Sequence, residues 1–477
     1  MSTIGLDLGT SRVKAVRFDD AWRAVDSEAE TTAVRSDGDA SEQDMHQVWA
    51  AAARVVGAVA GRSPDAVALL AQTAQGDGCW LVDAKGEPVR PAMLWNDGRA
   101  ASVVDRWEAD GTLERAFRSS GSYGAAGVAH AQLRWLAAHE PGALKAASAL
   151  LSCGSWIYLR LTGRVVLEAS DAANPFLDAR TRRYDDTLLD LFGLTGLRRL
   201  LPEVVSGADR VAPLRRDVGP DLGLPAGTPV VLAPYDVVAS ATGAGVTRPG
   251  EGFAVLGTTL CAAIVSPDPM LSRPPNGMTL PGCAADRWLI ANATMIGTEV
   301  LDWMASLLGL GGAAEVVALA ATARPGDQPL MLPYLSPAGE RSPFRDSAIR
   351  GSLRGLTVRQ TRADIARAAL DGLTLTLRDC LQALGGTRTL AVIGGGARSA
   401  TWCQTISNAT NVPVLQPDTP EAGARGAVLT GAVDLGLADS LDELTARVVG
   451  RGALLEPDPA EATRFDEAYA AFVAARD

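Results

Sequence analysis

A short motif occurs twice in the sequence, and this repeat constrains the fold more than any other feature. Residues 8–11 read Leu-Gly-Thr-Ser and residues 256–259 read Leu-Gly-Thr-Thr, so the two copies lie 248 positions apart in a chain of 477 residues. In both places an apolar run leads into the turn and a second apolar run leaves it, a pattern typical of a β-hairpin. The repeat predicts two related halves, each of which opens a β-sheet with the same hairpin.

Each predicted hairpin turn carries groups that bind phosphate. Glycine lets the backbone approach closely, N–H groups and hydroxyls donate hydrogen bonds to phosphate oxygens, and the carboxylate of Asp7 can hold Mg2+ directly or through water. One such hairpin is equally consistent with an ordinary turn beside a solvated carboxylate, whereas a second copy favours a nucleotide that both halves contact. The predicted phosphate-binding residues are Gly9, Thr10, Ser11, Gly257, Thr258 and Thr259.

Length and charge limit the class of protein. A chain of 477 residues is too long for one hydrophobic core, and we predict two domains, residues 1–243 and 244–477. With 44 basic and 55 acidic residues the net charge is -11, which argues against a nucleic acid or an anionic membrane as a partner. The N-terminus lacks the pattern of a signal peptide, and no long uncharged apolar stretch follows, so we expect a cytoplasmic protein.

The cysteines indicate reduced thiols rather than a disulfide framework or a zinc site. None of the six forms a Cys-x-x-Cys pair, and the chain contains only three histidines. The cysteines, which we expect to be buried, are Cys79, Cys153, Cys261, Cys283, Cys380 and Cys403.

Two predicted strands lead into loops that are rich in polar side chains. A buried strand at residues 66–71 delivers the loop 72–78, and a second polar loop covers residues 93–99. Ligands bind at the carboxyl ends of strands in open α/β sheets, and planar amides, carboxylates and a Trp face suit a carbohydrate. Taken singly these residues are more often turn or surface residues, but two such loops favour a sugar site. The predicted substrate-binding residues are Gln75, Asp77, Gly78, Trp95, Asn96 and Asp97.

Asp236 lies where a buried strand becomes a helix. The apolar residues 229–234 predict the strand, and residues 237–241 can begin a helix. An aspartate at this junction is either a helix cap, which would stabilise the helix by about 1 kcal/mol, or a catalytic group. Its position just before the second hairpin favours catalysis.

A glycine-rich loop in the second half forms a further candidate site. Residues 389–393 predict a strand, residues 394–399 a loop and residues 400–410 a helix. A strand, a glycine loop and a helix N-terminus together form an anion and nucleotide site, although three glycines also occur in plain tight turns. The candidate residues are Gly395, Gly396, Ala397 and Ser399. Elsewhere, we predict that residues 127–162 are helical.

Taken together, these segments resemble the FGGY family of carbohydrate kinases. The most specific match is formed by residues 351–356 and 364–371, separated by seven residues, which fit the family's second signature at every defined position. Further segments resemble the xylulokinases of this family in the same order, so the resemblance covers nearly the whole chain. These segments are residues 4–11, 41–44, 95–99, 170–173, 332–336 and 394–399.

The resemblance implies two ribonuclease-H-like α/β domains of the actin-like ATPase type, with the active site in the cleft between them. It implies ATP and Mg2+ as cofactors, sugar binding by the N-terminal domain and nucleotide binding by the C-terminal domain. By this resemblance Asp236 is the catalytic base and Asp7 is the carboxylate associated with Mg2+. The two Gly-Thr turns are phosphate binders, and the adenosine loop contains Gly395, Gly396 and Ala397.

The same resemblance predicts the acceptor class and leaves the acceptor itself open. Residues 75–78 read Gln-Gly-Asp-Gly where xylulokinases usually have Gln-Met-His-Gly, and the carboxylate of Asp77 accepts hydrogen bonds where an imidazole can donate. This loop and residues 336–344 are closer to L-xylulose and erythritol kinases, whereas residues 95–99 are closer to D-xylulokinases. We predict transfer of the γ-phosphate of MgATP to a terminal hydroxyl of a ketopentose or short polyol, with erythritol, glycerol or ribulose as alternatives.

A competing interpretation is a non-catalytic module of the same architecture. An actin-like ATPase or a sugar-sensing protein would use the two hairpins but would not need Asp236 or the loops at Asp77 and Trp95. The sequence does not determine the oligomeric state, for which a homodimer is one option.

Overall fold

The computed structural model describes residues 2–62, 65–282, 284–324, 326, 328–418, 421–450 and 452–476. The chain divides into two compact units. Unit 1 contains Met1–Thr247, Pro267–Leu289 and Glu421–Val448, and unit 2 contains Arg248–Ser266, Ile290–Pro420 and Val449–Asp477.

The first half of the chain alternates strands and helices. Its strands are β1 (Ser2–Leu8), β2 (Arg12–Phe18), β3 (Ala24–Thr31), β4 (Arg35–Asp37), β5 (Ala40–Gln43), β6 (Val67–Ala74), β7 (Trp80–Val82), β8 (Ala92–Met93), β9 (Ala149–Leu151), β10 (Val166–Glu168), β11 (Leu177–Asp178), β12 (Arg183–Tyr184), β13 (Glu203–Val205), β14 (Val211–Pro213) and β15 (Pro229–Leu232). Its α-helices are α1 (Met45–Gly61), α2 (Ala101–Ala109), α3 (Thr112–Ser120), α4 (Ala129–His139), α5 (Pro141–Ala146), α6 (Cys153–Thr162), α7 (Ala169–Ala172), α8 (Asp186–Leu191), α9 (Gly219–Leu222) and α10 (Asp236–Gly243). Short 3-10 helices cover Thr195–Leu200 and Gly207–Arg210.

The second half repeats this alternation. Its strands are β16 (Glu251–Leu256), β17 (Leu260–Ser266), β18 (Met278–Pro281), β19 (Trp288–Ala293), β20 (Leu330–Leu332), β21 (Ser352–Arg354), β22 (Thr389–Ile393), β23 (Val414–Leu415) and β24 (Leu454–Leu455). Its α-helices are α11 (Glu299–Leu308), α12 (Ala313–Ala320), α13 (Arg362–Ala383), α14 (Ala400–Thr410), α15 (Ala422–Asp434), α16 (Leu441–Val448) and α17 (Pro459–Arg476). A short 3-10 helix covers Gly396–Arg398.

The main sheet of unit 1 brings three strand ends to one edge. Its strand order is β14-β15-β6-β1-β2-β3. The hairpin β1–β2 is antiparallel, whereas β6 runs parallel to both β1 and β15. Because parallel strands end at the same edge of a sheet, the carboxyl ends of β1, β6 and β15 lie together. Asp7, Gln75 and Asp236 are at or just beyond these ends.

Helices cover both faces of the central strand β1. On one face the buried Leu6 belongs to the same apolar cluster as Val55 of α1. On the other face Ala424 of α15 clusters with Val16 and Ala71 of neighbouring strands. Burying a Val or Leu side chain contributes roughly 1.5–3 kcal/mol, so a strand covered on both faces is strongly stabilised. The hairpin that carries Asp7 therefore stands on a rigid part of the sheet.

Unit 2 is built around the second hairpin in the same way. Strands β16 and β17 form an antiparallel pair, and β22 runs parallel to β16, just as β6 runs parallel to β1. In this sheet these strands lie side by side in the order β19-β17-β16-β22-β23-β24. The prediction that the same hairpin opens a sheet in both halves is therefore confirmed.

The longest helix of unit 2 begins at a well-formed cap. The hydroxyl of Thr361 accepts from the N–H of Asp364, and the carboxylate of Asp364 accepts from the N–H of Thr361. Such a reciprocal capping box satisfies two backbone donors that a helix start otherwise leaves unpaired. The indole N–H of Trp402 on α14 donates to the Thr374 hydroxyl on α13 over 3.0 Å, which joins the two helices behind the glycine loop.

The prediction that residues 127–162 are helical is wrong at one place. A strand, β9, separates α5 from α6 and pairs antiparallel with β7, with Leu151 opposite Trp80. The three apolar residues of β9 are too few to show a periodicity that would distinguish a short buried strand from a helix. They form a strand because they pair with β7, which lies about 70 positions earlier in the chain.

The structure describes five of the six cysteines, and all five are buried free thiols, as expected; Cys283 lies outside the described residues. Within the described ranges, no single helix has the length and hydropathy of a membrane span, and only α11 and α12 satisfy such a test as a pair, with a 77° bend between them.

Candidate active site

Two carboxylates at the sheet edge of unit 1 have strongly shifted pKa values. Burial raises the pKa of Asp7 from 3.8 to about 6, with Glu421 raising it further and Lys14 opposing both. Burial raises the pKa of Asp236 to about 8, with the charge of Asp7 next in importance, while a hydrogen bond from the N–H of Val237 opposes them. Both carboxylates therefore bind a proton at a higher pH than an ordinary aspartate does.

The environment of Asp7 is fixed by the hairpin and by helix α15. Lys14 lies opposite Asp7 in the β1–β2 register and forms an ion pair with Glu421. A Cβ atom at Gly423 would come within 2.5 Å of the Asp7 Oδ2 atom, so only glycine lets α15 approach the carboxylate this closely. Carboxylate oxygens are the hard ligands that Mg2+ prefers, but no three Asp, Glu, His or Cys side chains among the described residues are close enough to form a metal site. The hairpin and α15 therefore hold Asp7 in place without forming a metal site from protein groups alone within that part of the chain.

A chain of hydrogen bonds joins the first hairpin turn to both predicted sugar loops. The hydroxyl of Thr10 donates to the Gln75 Oε1 atom at 2.7 Å and accepts from the indole N–H of Trp95 at 2.9 Å. Gln75 in turn donates to the Gln43 Oε1 atom at 3.0 Å. The structure thus places Gln75 and Trp95 together with Thr10, while Ser11 is exposed and Gly9 is partly buried. The hydroxyl of Thr10 positions the loops of unit 1.

Asp77 lies opposite Tyr235. Its loop needs glycine on both sides of Asp77, at Gly76 and Gly78. Asp77 adopts a positive φ of 55°, and its Oδ1 atom accepts from the Asn174 amide at 2.7 Å. The hydroxyl of Tyr235 lies 3.5 Å from the Asp77 Oδ2 atom. A Cβ atom at Gly76 would lie 1.9 Å from the ring of Tyr235, and one at Gly78 would lie 2.5 Å from a backbone oxygen. Gly78 therefore shapes the loop through its backbone.

Asp97 is engaged within the protein, and its contact with substrate stays a prediction. Its side chain is 1% exposed, its oxygens accept from the Arg99 guanidinium, and its Oδ2 atom also accepts from the N–H of Ser41 at 2.9 Å. A carboxylate with these partners holds the loop in shape. Trp95 and Asn96, by contrast, are exposed.

The glycine loop of unit 2 lines a pocket of about 590 Å³, within the size range of small-molecule sites. Apolar residues of α11 and α12 form part of its wall, and the N-terminus of α14 borders it. The lining residues are Thr298, Leu301, Ala313, Ala314, Val317, Ala318, Gly395, Gly396, Arg398, Ser399, Thr401 and Trp402. The predicted residues Gly395, Gly396 and Ser399 are thus brought together around a cavity.

Ala397 is the exception among the predicted adenosine-loop residues. It does not line the pocket, and its carbonyl oxygen accepts from the side chains of Gln416 and Cys403. These two contacts hold the loop in place, and a nucleotide contact of Ala397 stays a prediction. The hydroxyl of Ser399 caps α14 by accepting from the N–H of Trp402 at 3.1 Å.

The second hairpin turn adjoins the same pocket. The carbonyl oxygen of Gly257 accepts from the N–H of Thr298, a pocket residue, at 2.8 Å. Thr258 is exposed and Thr259 partly buried, so both side chains are available to solvent. A Cβ atom at Gly297 would come within 2.6 Å of Gly257, so the turn needs glycine beside it.

Sequence reasoning missed residues whose partners are distant in the chain. Tyr235 and Asn174 reach Asp77 from positions 158 and 97 residues away, and Glu421 reaches Lys14 from 407 residues away. Tyr235 could have been found, since it immediately precedes Asp236 on the same strand end. The pocket residues of α11 and α12 give no signal, because an apolar helix face is normally core.

Comparisons with known proteins agree with this architecture. The N-terminal domain of the FGGY family of carbohydrate kinases matches residues 2–243, and the family's C-terminal domain matches residues 252–435. An erythritol kinase from Brucella abortus (strain 2308) is 34% identical, with 99% of this chain and 95% of that protein covered. A xylulose kinase from Escherichia coli (strain K12) is 31% identical, with 85% and 84% covered.

The fold comparison gives the same answer. The crystal structure of a xyloylose kinase from Brucella ovis has a TM-score of 0.91 and 28% identity, with 100% of this chain and 98% of that chain covered. The predicted two-domain α/β fold of the actin-like ATPase type is confirmed, and so is the predicted enzyme class, an ATP-dependent sugar kinase. Two domain models that cover most of the sequence leave no ambiguity about descent: the chain belongs to the FGGY family of carbohydrate kinases.

Proposed function

We propose that this kinase transfers the γ-phosphate of MgATP to a terminal hydroxyl of an uncharged ketopentose or short polyol, with Asp236 as the general base. The observation that carries the proposal is the arrangement at the sheet edge of unit 1. There Asp7 lies near the end of β1, and Asp77 and Asp236 follow the neighbouring strands β6 and β15. The charges of Asp7 and Asp77 both raise the pKa of Asp236.

The proton transfer follows from the character of Asp236. The carboxylate accepts the proton of the acceptor hydroxyl as the oxygen forms its bond to the γ-phosphorus and the bond from phosphorus to the β,γ-bridging oxygen breaks. A base with a pKa of about 8 holds this proton more firmly than an ordinary carboxylate. General-base help of this kind contributes about 10²- to 10⁴-fold, and orientation and electrostatics contribute the remainder of the acceleration.

Asp7 is the residue that we propose to hold Mg2+, directly or through water. The negative charge of Glu421 raises the pKa of this partly buried carboxylate, and a divalent cation would offset that charge. The ion, when bound, neutralises charge on the phosphoryl oxygens. Asp7 would hold the ion, and Lys14, paired with Glu421, limits the remaining negative charge.

The nucleotide is assigned to the pocket of unit 2, so the 1–243 region binds the sugar and the 244–477 region binds ATP. The apolar wall formed by Leu301 and Val317 suits a base, and the N-terminus of α14 suits a phosphate or ribose oxygen. The Gly-Thr turn at Gly257, which adjoins this pocket, would supply backbone N–H groups for phosphate oxygens.

The proposed sugar site is rich in oxygen atoms that accept hydrogen bonds, and such a site suits the hydroxyl groups of a sugar or polyol. Asp77 and the partly exposed Asp236 present carboxylate oxygens, Tyr235 presents a hydroxyl and Trp95 an exposed ring. Relatives named erythritol kinase and xylulose kinase support a four- or five-carbon acceptor. Asp77 stands where a donor imidazole is usual in xylulokinases, so we place erythritol first and a xylulose second.

A coupled assay of ADP release across a panel of acceptors tests the proposal. The panel is erythritol, D-xylulose, L-xylulose, ribulose, glycerol and gluconate, each with MgATP. We expect sugar-dependent ADP release with erythritol or a pentulose and little with the anionic gluconate, because its carboxylate meets several aspartates. Absence of sugar-dependent ADP release with every acceptor would contradict the proposal and favour a non-catalytic ATPase or sugar sensor.

A further inference from the structure

The segment formed by residues 168–174 contacts both functional loops of unit 1 although the mechanism above gives it no role. It follows β10, contains the short helix α7 and is mostly buried. One of its residues contacts the backbone that carries Asp236, and another contacts Asp77. No other assignment in the site accounts for these two contacts.

Ser170 holds the peptide that precedes the catalytic base. Its Oγ atom accepts from the N–H of Tyr235 at 2.9 Å and donates to the carboxylate of Glu168. On the other side of the same turn, the Thr73 hydroxyl donates to the carbonyl oxygen of Pro234 at 2.7 Å. The two residues before Asp236 are therefore held by side-chain hydroxyls from both directions.

Glu168 is itself fixed by a buried ion network. The Arg210 Nη1 atom donates to the Glu168 Oε1 atom at 3.1 Å, and Nε and Nη2 donate to the carboxylate of Asp434 at 3.1 Å each. Glu168 and Arg210 are each 2% exposed. A buried network with its partners in place tolerates little movement, so the orientation of Ser170 is determined by residues from three separate elements.

Asn174 fixes the second functional loop. Its Nδ2 atom donates to the Asp77 Oδ1 atom at 2.7 Å, and Asn174 is 5% exposed. This bond occupies one oxygen of Asp77 and directs the carboxylate, whose other oxygen lies near the hydroxyl of Tyr235. Asp77 has a positive φ, a conformation that needs support from its surroundings, and Asn174 supplies a hydrogen bond to its side chain.

We propose that residues 168–174 are a positioning element of the kinase site, in which Ser170 orients Asp236 for proton transfer and Asn174 orients Asp77 for acceptor binding. This inference rests on the proposed function. It separates two kinetic roles along one short segment: Ser170 acts on the chemical step, and Asn174 acts on the affinity for the acceptor.

Double-mutant cycles test the Ser170 half of the proposal. We expect Ser170→Ala to lower kcat about tenfold with the KM for the acceptor within about threefold, because the base loses alignment while the acceptor contacts remain. In an Asp236→Asn background the same substitution should change kcat by less than about twofold, since two residues that act through one group are not additive. The slow rates of the Asp236→Asn variants are measured by mass spectrometry of the sugar phosphate at high enzyme concentration.

For Asn174 the proposal predicts the reverse result, a change in the acceptor KM with little change in kcat. Asn174→Ala should raise the acceptor KM about tenfold with kcat within about threefold, and this effect should disappear in an Asp77→Ala background. If both substitutions lowered kcat and raised KM alike, the division of roles would be contradicted.

Controls separate positioning from general loss of structure. Ser155→Ala removes a buried hydroxyl that has no hydrogen-bond partner among the described residues, and it should leave both kinetic constants unchanged. Thermal midpoints of all variants show whether the fold persists. If Ser170→Ala unfolds, Ser170→Cys keeps a polar atom in place and should give an intermediate kcat.

The outcomes distinguish this inference from the proposed function. Suppose that the wild-type protein is active on the panel, but Ser170→Ala lowers kcat about tenfold in the Asp236→Asn background as well. This result would overturn the positioning role and leave the proposed function in place. A wild-type protein without acceptor-dependent ADP release would instead overturn the proposed function.

Discussion

At the scale of single residues, burial gives the aspartates of the site properties that surface carboxylates lack. Asp7 and Asp236 both have raised pKa values, and the charge of Asp7 contributes to the shift at Asp236. Small neighbours make this arrangement possible, since Gly423 admits α15 next to Asp7 and Gly76 admits the ring of Tyr235. The chemistry of the site therefore depends on glycines as much as on acids.

Gly76→Ala should weaken acceptor binding. The added Cβ atom would lie 1.9 Å from the ring of Tyr235, so the ring must move away from Asp77. We expect the acceptor KM to rise at least about tenfold, measured by the coupled assay. Gly142→Ala, on a helix surface where a Cβ atom meets nothing within 4 Å, is the matched control and should leave the KM unchanged. An unaltered KM in Gly76→Ala would show that Tyr235 does not help to bind the acceptor.

The sequence identifies the acidic residues of the site, but it does not show which groups each of them contacts in the folded protein. Asp7 and Asp236 were identifiable because each ends a buried strand. The contacts of Asp97 with Arg99 and Ser41 could not be predicted, because the fold and not the local sequence brings these groups together. Asn174 likewise contacts Asp77 only through tertiary structure.

At the scale of elements, helix α15 holds the functional side of unit 1 together. Gly426 and Gly243 form the crossing of α15 with α10, where Cβ atoms would lie 1.8 and 1.9 Å from backbone oxygens of the other helix. The helix also carries Asp434 at its C-terminal end and follows Glu421. Its close approach holds α10, and hence Asp236, against the sheet.

Gly426→Ala should separate these helices. The Cβ atom would overlap the carbonyl oxygen of Ala239, and overpacking against backbone costs about 1–3 kcal/mol or more. We expect a lower free energy of unfolding in urea and a lower kcat. In Gly431→Ala, on the same helix, the Cβ atom would lie 3.1 Å from a Val231 side chain that can shift, and stability should stay within about 1 kcal/mol of wild type. Equal stability of the two variants would contradict the role of the crossing.

A buried histidine should make stability pH-dependent. His130 on α4 stacks on Trp107 and Phe192, and neither ring nitrogen has a hydrogen-bond partner among the described residues. Burial lowers the pKa of His130 from 6.5 to about 3. Between these values the unfolded chain binds a proton that the folded protein does not, so stability is complete above about pH 6.5 and falls as the pH is lowered. The loss at pH 5 is about 2 kcal/mol.

His130→Phe tests this dependence. We expect the free energy of unfolding of the variant, measured in urea from pH 7.5 to 5, to fall by about 2 kcal/mol less than that of wild type. His139→Gln changes an exposed histidine on the same helix and should keep the wild-type dependence. Identical pH profiles for His130→Phe and wild type would exclude this source of acid sensitivity.

The elements themselves were largely predictable, and the exceptions are instructive. Both hairpins, the helix 400–410 and the C-terminal helix follow from local periodicity and caps, because their signals lie within one element. Strand β9 was missed, since three apolar residues gain their strand geometry only by pairing with β7.

At the scale of the whole molecule, each unit is built around one copy of the same hairpin with a parallel strand beside it. In unit 1 this framework carries Asp7, Asp77 and Asp236, and in unit 2 it carries the glycine loop and its pocket. The repeated hairpin gives both units the same framework, and the loops attached to it differ between the units. The assignment of the acceptor to unit 1 and of the nucleotide to unit 2 follows from these different loops.

Removal of Mg2+ should stop turnover and spare acceptor binding. If Asp7 holds the ion with ATP, EDTA is expected to abolish acceptor-dependent ADP release, and added Mg2+ should restore it. Acceptor binding, followed by tryptophan fluorescence because the exposed Trp95 lies at the site, should change by less than about threefold. Turnover that persists in excess EDTA would contradict the assignment of Asp7 to the metal.

The central claim is that Asp236 removes the proton from the acceptor hydroxyl. The most direct test is the turnover of Asp236→Asn with MgATP and the best acceptor of the panel, with acceptor affinity measured in parallel. We predict a kcat about 10²- to 10⁴-fold lower than that of wild type, with acceptor affinity within about threefold. A near-normal kcat in Asp236→Asn would contradict the account.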